Sequence, residues 1–406
     1  MKIAVIGAGA AGMFAAVCAA ERGAEVCLYE HMEEAGKKLL MTGNGKCNLT
    51  NLYVDRDCYY SDSDKEDILW QVLDGFTPTD TIAWFQQHGL MTRNRDGYIY
   101  PYCEQAAVVR EVLLRSLEKA GVEICYGYDC YRSLKQLPDG AFLIGNREYD
   151  RLILACGGKS ARHTGSDGSG YELAKKFGHH IIEPKPALVQ LHTNLPEWKQ
   201  LAGVRAQGSV TIHGHTQTGE LQFTEYGISG IAVFQLSRLA VKEGFSKPVE
   251  AYLDLCPEYP AENLKEIVID RISRLKSKPL LQALSGTIHT KILAYLLSAL
   301  HLSEKNTSDF SGCQNMQYMQ DTVDRIVNFI KHMPVPITGS HKLDAAQVTQ
   351  GGIPLYEVDA SLQSVFTKGL YFAGEMMDVD GICGGYNLQW AWASGHVAAC
   401  RCTPKV

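Results

Sequence analysis

The sequence predicts an α/β chain whose nucleotide-binding domain is split between its two ends, with a small β-barrel and a helical subdomain inserted in the middle. Three observations carry this. Near the start a short apolar run drops into Gly7-Ala8-Gly9-Ala10-Ala11-Gly12, and near the end a second glycine-rich turn, Gly384-Gly385, feeds a helix-like stretch. Between them, from about Pro186, the texture changes to short strand-like runs separated by turn residues and then to long amphipathic stretches. With 406 residues, 46% of them hydrophobic, the chain can fill two or three cores. The boundaries read as 1–187 with 345–406 for the nucleotide domain, 188–259 with 331–344 for the barrel, and 260–330 for the helices.

Taken in order, residues 2–6 are rich in β-branched side chains, 10–22 are mostly alanine and other helix formers, and 25–29 return as a strand. Gly7 lets the chain turn off the strand, Gly9 lets the backbone approach a pyrophosphate with no Cβ in the way, and Gly12 lets the helix pack close to the sheet. The anion then lies on the helix N terminus. Glu30, eighteen residues past Gly12, stands where a carboxylate accepts hydrogen bonds from ribose hydroxyls. Residues 3–20 are uncharged, as in a leader or a membrane anchor, yet alternating glycine and alanine replace the leucine-rich core of such segments, so neither is expected.

Residues 31–51 are dense in Gly, Asn, Thr and Lys and read as a structured loop whose donors suit an anion or a heterocycle edge. Helices are predicted over 64–73, 79–88 and 104–119, an aromatic strand or loop over 98–102, and strands over 122–125, 141–144 and 150–154. A glycine-rich run, 164–170, enters a helix at 171–177, with Asp167 or Ser169 placed to cap it. Strands at 188–191, 208–213, 219–223 and 247–253 make the barrel or sandwich. Stretches 261–302 and 319–330 are amphipathic helices, broken near Lys278-Pro279. The strand over 368–374 closes on Glu375.

A formal charge of −6 leaves no electrostatic footprint for nucleic acid or an anionic membrane, and neither partner is expected. The run Lys265, Arg271, Arg274, Lys276, Lys278 reads as a solvated face. Thirteen scattered cysteines without a Cys-x-x-Cys pair read as reduced thiols in a cytoplasm and argue against a zinc ribbon; Cys400 and Cys402 fall on an exposed-looking tail. His213 and His215 alternate on one strand face and His179-His180 follow a helix, with no acidic or cysteine partner at ligand spacing, so no metal is expected.

The stretch GKKLLMTGNGKCNLTN (36–51), following GAGAAG, resembles the YhiN/BaiN-type flavoprotein family of aminoacetone oxidase-like and NAD(P)/FAD-dependent oxidoreductases. The resemblance extends to Gly374-Glu375 and to GGYNLQWAW (384–392), while Ala155-Cys156-Gly157 is similar to the usual Ala-Thr-Gly of glutathione-reductase-like flavoproteins. It implies a discontinuous Rossmann-like FAD-binding domain of glutathione-reductase type. FAD would be held by Gly7, Gly9, Ala11, Gly12, Glu30, Lys38, Asn44, Gly45, Cys47, Asn48, Ala155, Cys156, Gly157, Gly374, Glu375, Gly384, Gly385, Tyr386, Asn387 and Leu388. Glu375 would face the ribityl hydroxyls, and the helix after Gly385 would aim its positive end at the flavin N1 region.

The implied activity is hydride movement between flavin N5 and a small organic substrate. It takes one of two forms: NAD(P)H-dependent reduction of a conjugated carbonyl of steroid or bile-acid type, or oxidation of a small amine such as aminoacetone. A flavin-bound binding or RNA-modifying protein is the alternative class. No second GxGxxG follows a strand, so NADH or NADPH would visit the substrate's own pocket, or dioxygen would be the oxidant. No catalytic acid or base stands out; Glu225 and Tyr226, in a strand-to-helix junction, are the candidates for facing a pocket.

Overall fold

The computed structural model describes residues 1–275, 277–310 and 316–403. Strands Lys2–Ile6, Glu25–Tyr29, Glu123–Cys125, Arg151–Leu154 and Leu370–Phe372 form one parallel sheet. Leu370–Phe372 lies at one edge, followed by Arg151–Leu154, Lys2–Ile6, Glu25–Tyr29 and, at the other edge, Glu123–Cys125. A parallel sheet is covered on both faces, which is why its strands read as continuous apolar runs; Ile3, Ala4, Val5, Leu152, Ile153 and Leu154 are fully buried. Leu152 is in register with Leu370, so chain from both ends builds this unit, Met1–Ala187 with Lys342 onward.

The opening helix, Ala10–Glu21, is buried without a break from Ala11 to Ala19, and its alanines have a reason. A Cβ on Gly395 would stand 2.7 Å from the carbonyl oxygen of Ala11, so the closing helix, Tyr386–Cys402, meets the opening one backbone to backbone. Larger side chains fill the flanks: Phe14 packs on Trp84 and Trp392 with centroids 4.6 and 5.5 Å apart.

The second unit, Leu188–His341, has its own core. Six strands, Leu191–Thr193, Arg205–Ile212, His215–Thr224, Gly227–Ser229, Val249–Asp254 and Met333–Ser340, close into a barrel filled by Val210, Leu221, Leu253 and Val335. Helices Ile231–Glu243, Ala261–Arg274, Leu280–Ala283, Thr290–Ala299 and Met316–Lys331 pack with it, and the break predicted at Lys278-Pro279 falls between the second and third of these.

Several expectations are corrected. His213 and His215 do not share a strand face: His213 and Gly214, with φ of +50° and +79°, form the two-residue turn joining Arg205–Ile212 to His215–Thr224. The first barrel strand starts at Leu191, not Leu188, whose φ of +51° breaks the extended run. The helix after the glycine run is Ser169–Lys176, and neither Asp167 nor Ser169 is its N-cap residue. Gly168 is, at φ +86°, while the Asp167 carboxylate accepts from the Ser169 N–H at 2.8 Å. Cys400 and Cys402 are no tail; they belong to the closing helix, and Cys402 is buried. Ile182–Ala187 and Val348–Gly352, unpredicted, pair antiparallel. Lys276 of the basic run lies outside the described residues. No helix among the described residues is long and apolar enough to cross a membrane.

Candidate cofactor site

At the end of the first strand the three glycines separate into two kinds. Gly7 takes φ +102°, where a Cβ would stand 2.5 Å from the Ala155 carbonyl oxygen, and a Cβ on Gly12 would stand 1.8 Å from the Gly7 carbonyl oxygen. Both are required by protein packing. A Cβ on Gly9, by contrast, has nothing within 4 Å, so this glycine borders open space in front of the helix N terminus that it caps. No side chain caps that terminus and its first turn holds no acidic residue, which leaves its positive end to an anion.

Glu30, buried at the end of the second strand, accepts from the Ala8 N–H at 2.8 Å with one oxygen and from the Met32 N–H at 2.8 Å with the other. The carboxylate therefore latches the glycine-rich turn. Ala155 donates its N–H to the Ile6 carbonyl at 2.8 Å, and Cys156 directs its thiol at the same oxygen at 3.5 Å. Gly157 has φ +75° and faces the buried Ser166 hydroxyl, which has no hydrogen-bond partner.

The loop over 36–51 turns sharply through Gly43, Asn44, Gly45 and Cys47, all with positive φ. Asn44 and Gly45 are exposed, whereas Cys47 and Asn48 are buried. Burial pushes the thiols of Cys47 and Cys156 up to about 12, which keeps both protonated at neutral pH and removes them as nucleophiles. Lys38 reaches out of this loop to Glu375, Nζ to Oε2 at 2.6 Å, and to the Ser160 hydroxyl at 2.6 Å. The other Glu375 oxygen accepts from Ser160 at 2.9 Å and from the Thr349 N–H at 2.9 Å.

Glu375 follows Gly374, whose φ of +77° brings the chain to within 2.8 Å of the Ala11 side chain for a built Cβ. Gly384 and Gly385, with φ of +127° and +98°, then launch the closing helix; Gly385 is its N-cap and no side chain caps it. Beside that terminus the Asn48 Oδ1, buried and without a hydrogen-bond partner, lies 3.0 Å from where a Gly385 Cβ would be. Tyr386 and Asn387 are committed to the protein: the Tyr386 hydroxyl donates to the Tyr53 carbonyl at 2.9 Å, and the Asn387 amide pairs with both backbone groups of Gly381. Leu388 is half-buried.

Two uncapped helix ends, an open face at Gly9 and two orphaned buried polar atoms, Asn48 Oδ1 and Ser166 Oγ, fit an elongated ligand with an anionic middle and hydrogen-bonding heterocycles, as FAD is. Residues the sequence did not single out, Ser160 and Thr349, complete the Lys38–Glu375 cluster. In the second unit, Tyr226 donates to Gln190 Oε1 at 2.7 Å and its ring packs on His192 and His341, themselves linked at 2.9 Å.

Residues 1–401 match the family described as HI0933-like protein Rossmann domain. The chain is 37% identical over 409 residues to the 3-dehydro-bile acid delta(4,6)-reductase of Clostridium scindens, covering 98% of each. It is 29% identical over 408 residues to the ribosomal RNA dihydrouridine synthase of Haemophilus influenzae, covering 97% of this chain and 96% of that one. Among solved structures it is similar to 3-ketosteroid delta1-dehydrogenase from Sterolibacterium denitrificans, with a TM-score of 0.51, 12% identity and 99% of both chains covered, a likeness of fold alone.

Proposed function

Because the chain belongs to the HI0933-like family across residues 1–401, we propose that this FAD-dependent oxidoreductase reduces a carbon–carbon double bond conjugated to a carbonyl in a small substrate of steroid or bile-acid type, with NADH or NADPH as reductant. The likeness to a bile acid reductase over nearly all of both chains carries this reading. The reaction balances as one hydride from the nicotinamide and one proton from solvent added across the double bond, giving the saturated carbonyl compound and NAD(P)+. Bound FAD supplies two-electron redox chemistry at its flavin N5.

The chain's own residues hold and polarise. The N terminus after Gly9, through the N–H groups around Ala11 and Gly12, takes the pyrophosphate, and Glu30 takes the adenosine ribose while keeping the turn closed. Ala155 to Gly157 and the loop around Asn44 and Gly45 line the nucleotide. Lys38 and Glu375 form an ion pair beside it, and Asn48 with the end of the closing helix at Gly385 offers one acceptor and several N–H donors to the flavin ring. Replacing Glu30 by Ala removes a charged acceptor, so FAD affinity is expected to fall roughly ten- to a hundredfold. Flavin fluorescence during titration of apoprotein measures it, and unchanged affinity would remove Glu30 from the site.

Anaerobic stopped-flow tests the reaction. NADH or NADPH is expected to bleach the flavin absorbance, and a 3-oxo-Δ4 or Δ4,6 steroid to restore it with formation of the saturated product. Bleaching by aminoacetone and recovery only with air would replace the reductase by an amine oxidase. A second reading has its own observation, the likeness to a ribosomal RNA dihydrouridine synthase. Uracil carries the same bond type, its C5=C6 conjugated to the C4 carbonyl. The net charge of −6 weighs against a phosphate-rich partner. Dihydrouridine formed in unmodified ribosomal RNA, with steroid enones inert, would establish that reading instead.

A further inference from the structure

We infer that Cys27, Cys125 and Glu123 form a binding site for a thiophilic divalent cation of the zinc type, on the edge of the parallel sheet. Cys27 faces Glu123 in the strand register, and Cys125 lies two residues further along the same edge strand, so all three side chains share one face. Among the described residues this is the only group of three His, Cys, Asp or Glu side chains whose ligand atoms all lie within 4.8 Å of one another.

The distances fit a tetrahedral ion. The two sulfurs are 3.6 Å apart and the Cys125 sulfur is 3.7 Å from Glu123 Oε1. Zinc with Zn–S near 2.3 Å places two thiolates about 3.7 Å apart, so the ion enters without backbone movement. A disulfide instead needs the sulfurs at about 2.0 Å, and residues offset by two on adjacent parallel strands, spaced about 4.8 Å apart with a rise of about 3.3 Å per residue, stand about 8 Å apart at Cα, beyond the usual disulfide span.

Charge also closes. Two thiolates and a carboxylate carry three negative charges, which a divalent ion and Arg147 neutralise. Arg147 Nη1 lies 2.7 Å from the second Glu123 oxygen, Oε2, and 3.8 Å from Cys27 Sγ, where it orients the carboxylate and leaves Oε1 for the ion. Cys27 is buried, Cys125 half-buried and Glu123 exposed, so solvent reaches the fourth coordination position. The Glu30 N–H donates to the Cys125 carbonyl at 2.9 Å, so the bound ion would brace the backbone beneath the ribose carboxylate.

The test uses reduced flavin-loaded protein without oxygen, titrated with Zn2+ against a chromophoric chelator and with Co2+ for its d–d absorption beyond the flavin bands. One tightly held equivalent with tetrahedral Co2+ intensity is expected. Cys125→Ser should lower affinity by more than about tenfold and Glu123→Gln by less, while Cys103→Ser, an exposed cysteine outside the trio, leaves it unchanged. Far-ultraviolet circular dichroism checks that each variant is folded. Equal binding by wild type and Cys125→Ser overturns the assignment, as does a Cys27–Cys125 disulfide formed on mild oxidation by protein that takes up no cation.

Discussion

Gly12→Ala is expected to leave no soluble folded protein, whereas Gly9→Ala, three residues earlier, should fold normally and lose FAD. On helix propensity alone the first change should help by about 1 kcal/mol, because Gly12 lies inside the Ala10–Glu21 helix. Contact decides otherwise. Its Cβ would stand 1.8 Å from the Gly7 carbonyl oxygen and 3.3 Å from the Ala155 Cβ, and the first of these is backbone of the turn itself. Relief would need the helix to move off the sheet, a backbone shift beyond the roughly 1–3 kcal/mol of ordinary overpacking. Gly9 has φ −80°, which any residue adopts, and open space where its Cβ would go. Expression yield and thermal unfolding separate the two variants, and flavin content reads the second. A stable Gly9→Ala protein that keeps full FAD affinity would show that the open face at Gly9 is not where the cofactor approaches.

The same contrast separates what the sequence specifies locally from what only the fold brings together. The Lys2–Ile6 strand, the alanine helix and the Gly384-Gly385 launch were legible because each is specified by neighbouring residues. Prolines hid Ile182–Ala187: with Pro184 and Pro186 inside it, the run reads as coil, and it survives as a strand only in a two-stranded pair. The polar clusters were out of reach for a different reason. Lys38 meets Ser160 across 122 residues and Glu375 across 337, and nothing local in any of these stretches announces the pairing. Glycine identity marks the turn in sequence, but only its surroundings in space divide its three glycines into two that serve packing and one that borders open space.

The acidic partner of the histidine pair is distant in sequence: Glu357 lies far from His179-His180 along the chain, yet it meets both in space. Its buried carboxylate accepts from His179 Nδ1 at 3.0 Å, from the His180 N–H at 2.9 Å and from His180 Nδ1 at 2.6 Å, while His179 Nε2 meets the Ser364 hydroxyl at 2.7 Å. The His180 ring is largely exposed and its bond is screened, so the weight falls on the buried His179 ring and the backbone N–H. Glu357→Ala leaves the buried His179 ring and the half-buried His180 N–H without an acceptor and is expected to cost about 2–4 kcal/mol, at about 1–3 kcal/mol for each orphaned donor, with Glu357→Gln, which keeps an acceptor, losing less. Denaturant midpoints measure the difference, and a loss below about 1 kcal/mol for the alanine variant would show that water replaces the carboxylate. The pH dependence has a definite sign. Burial, opposed by Glu357, holds His179 below its ordinary value, and burial lowers His396 likewise. Unfolded chain takes up those protons near pH 6.5 while the fold does not, so stability is lost as pH falls through about 6.5 toward the lower folded values. Removing Glu357 withdraws the charge that favours protonated His179, lowering its folded value further, so the alanine variant should keep losing stability to lower pH than wild type does.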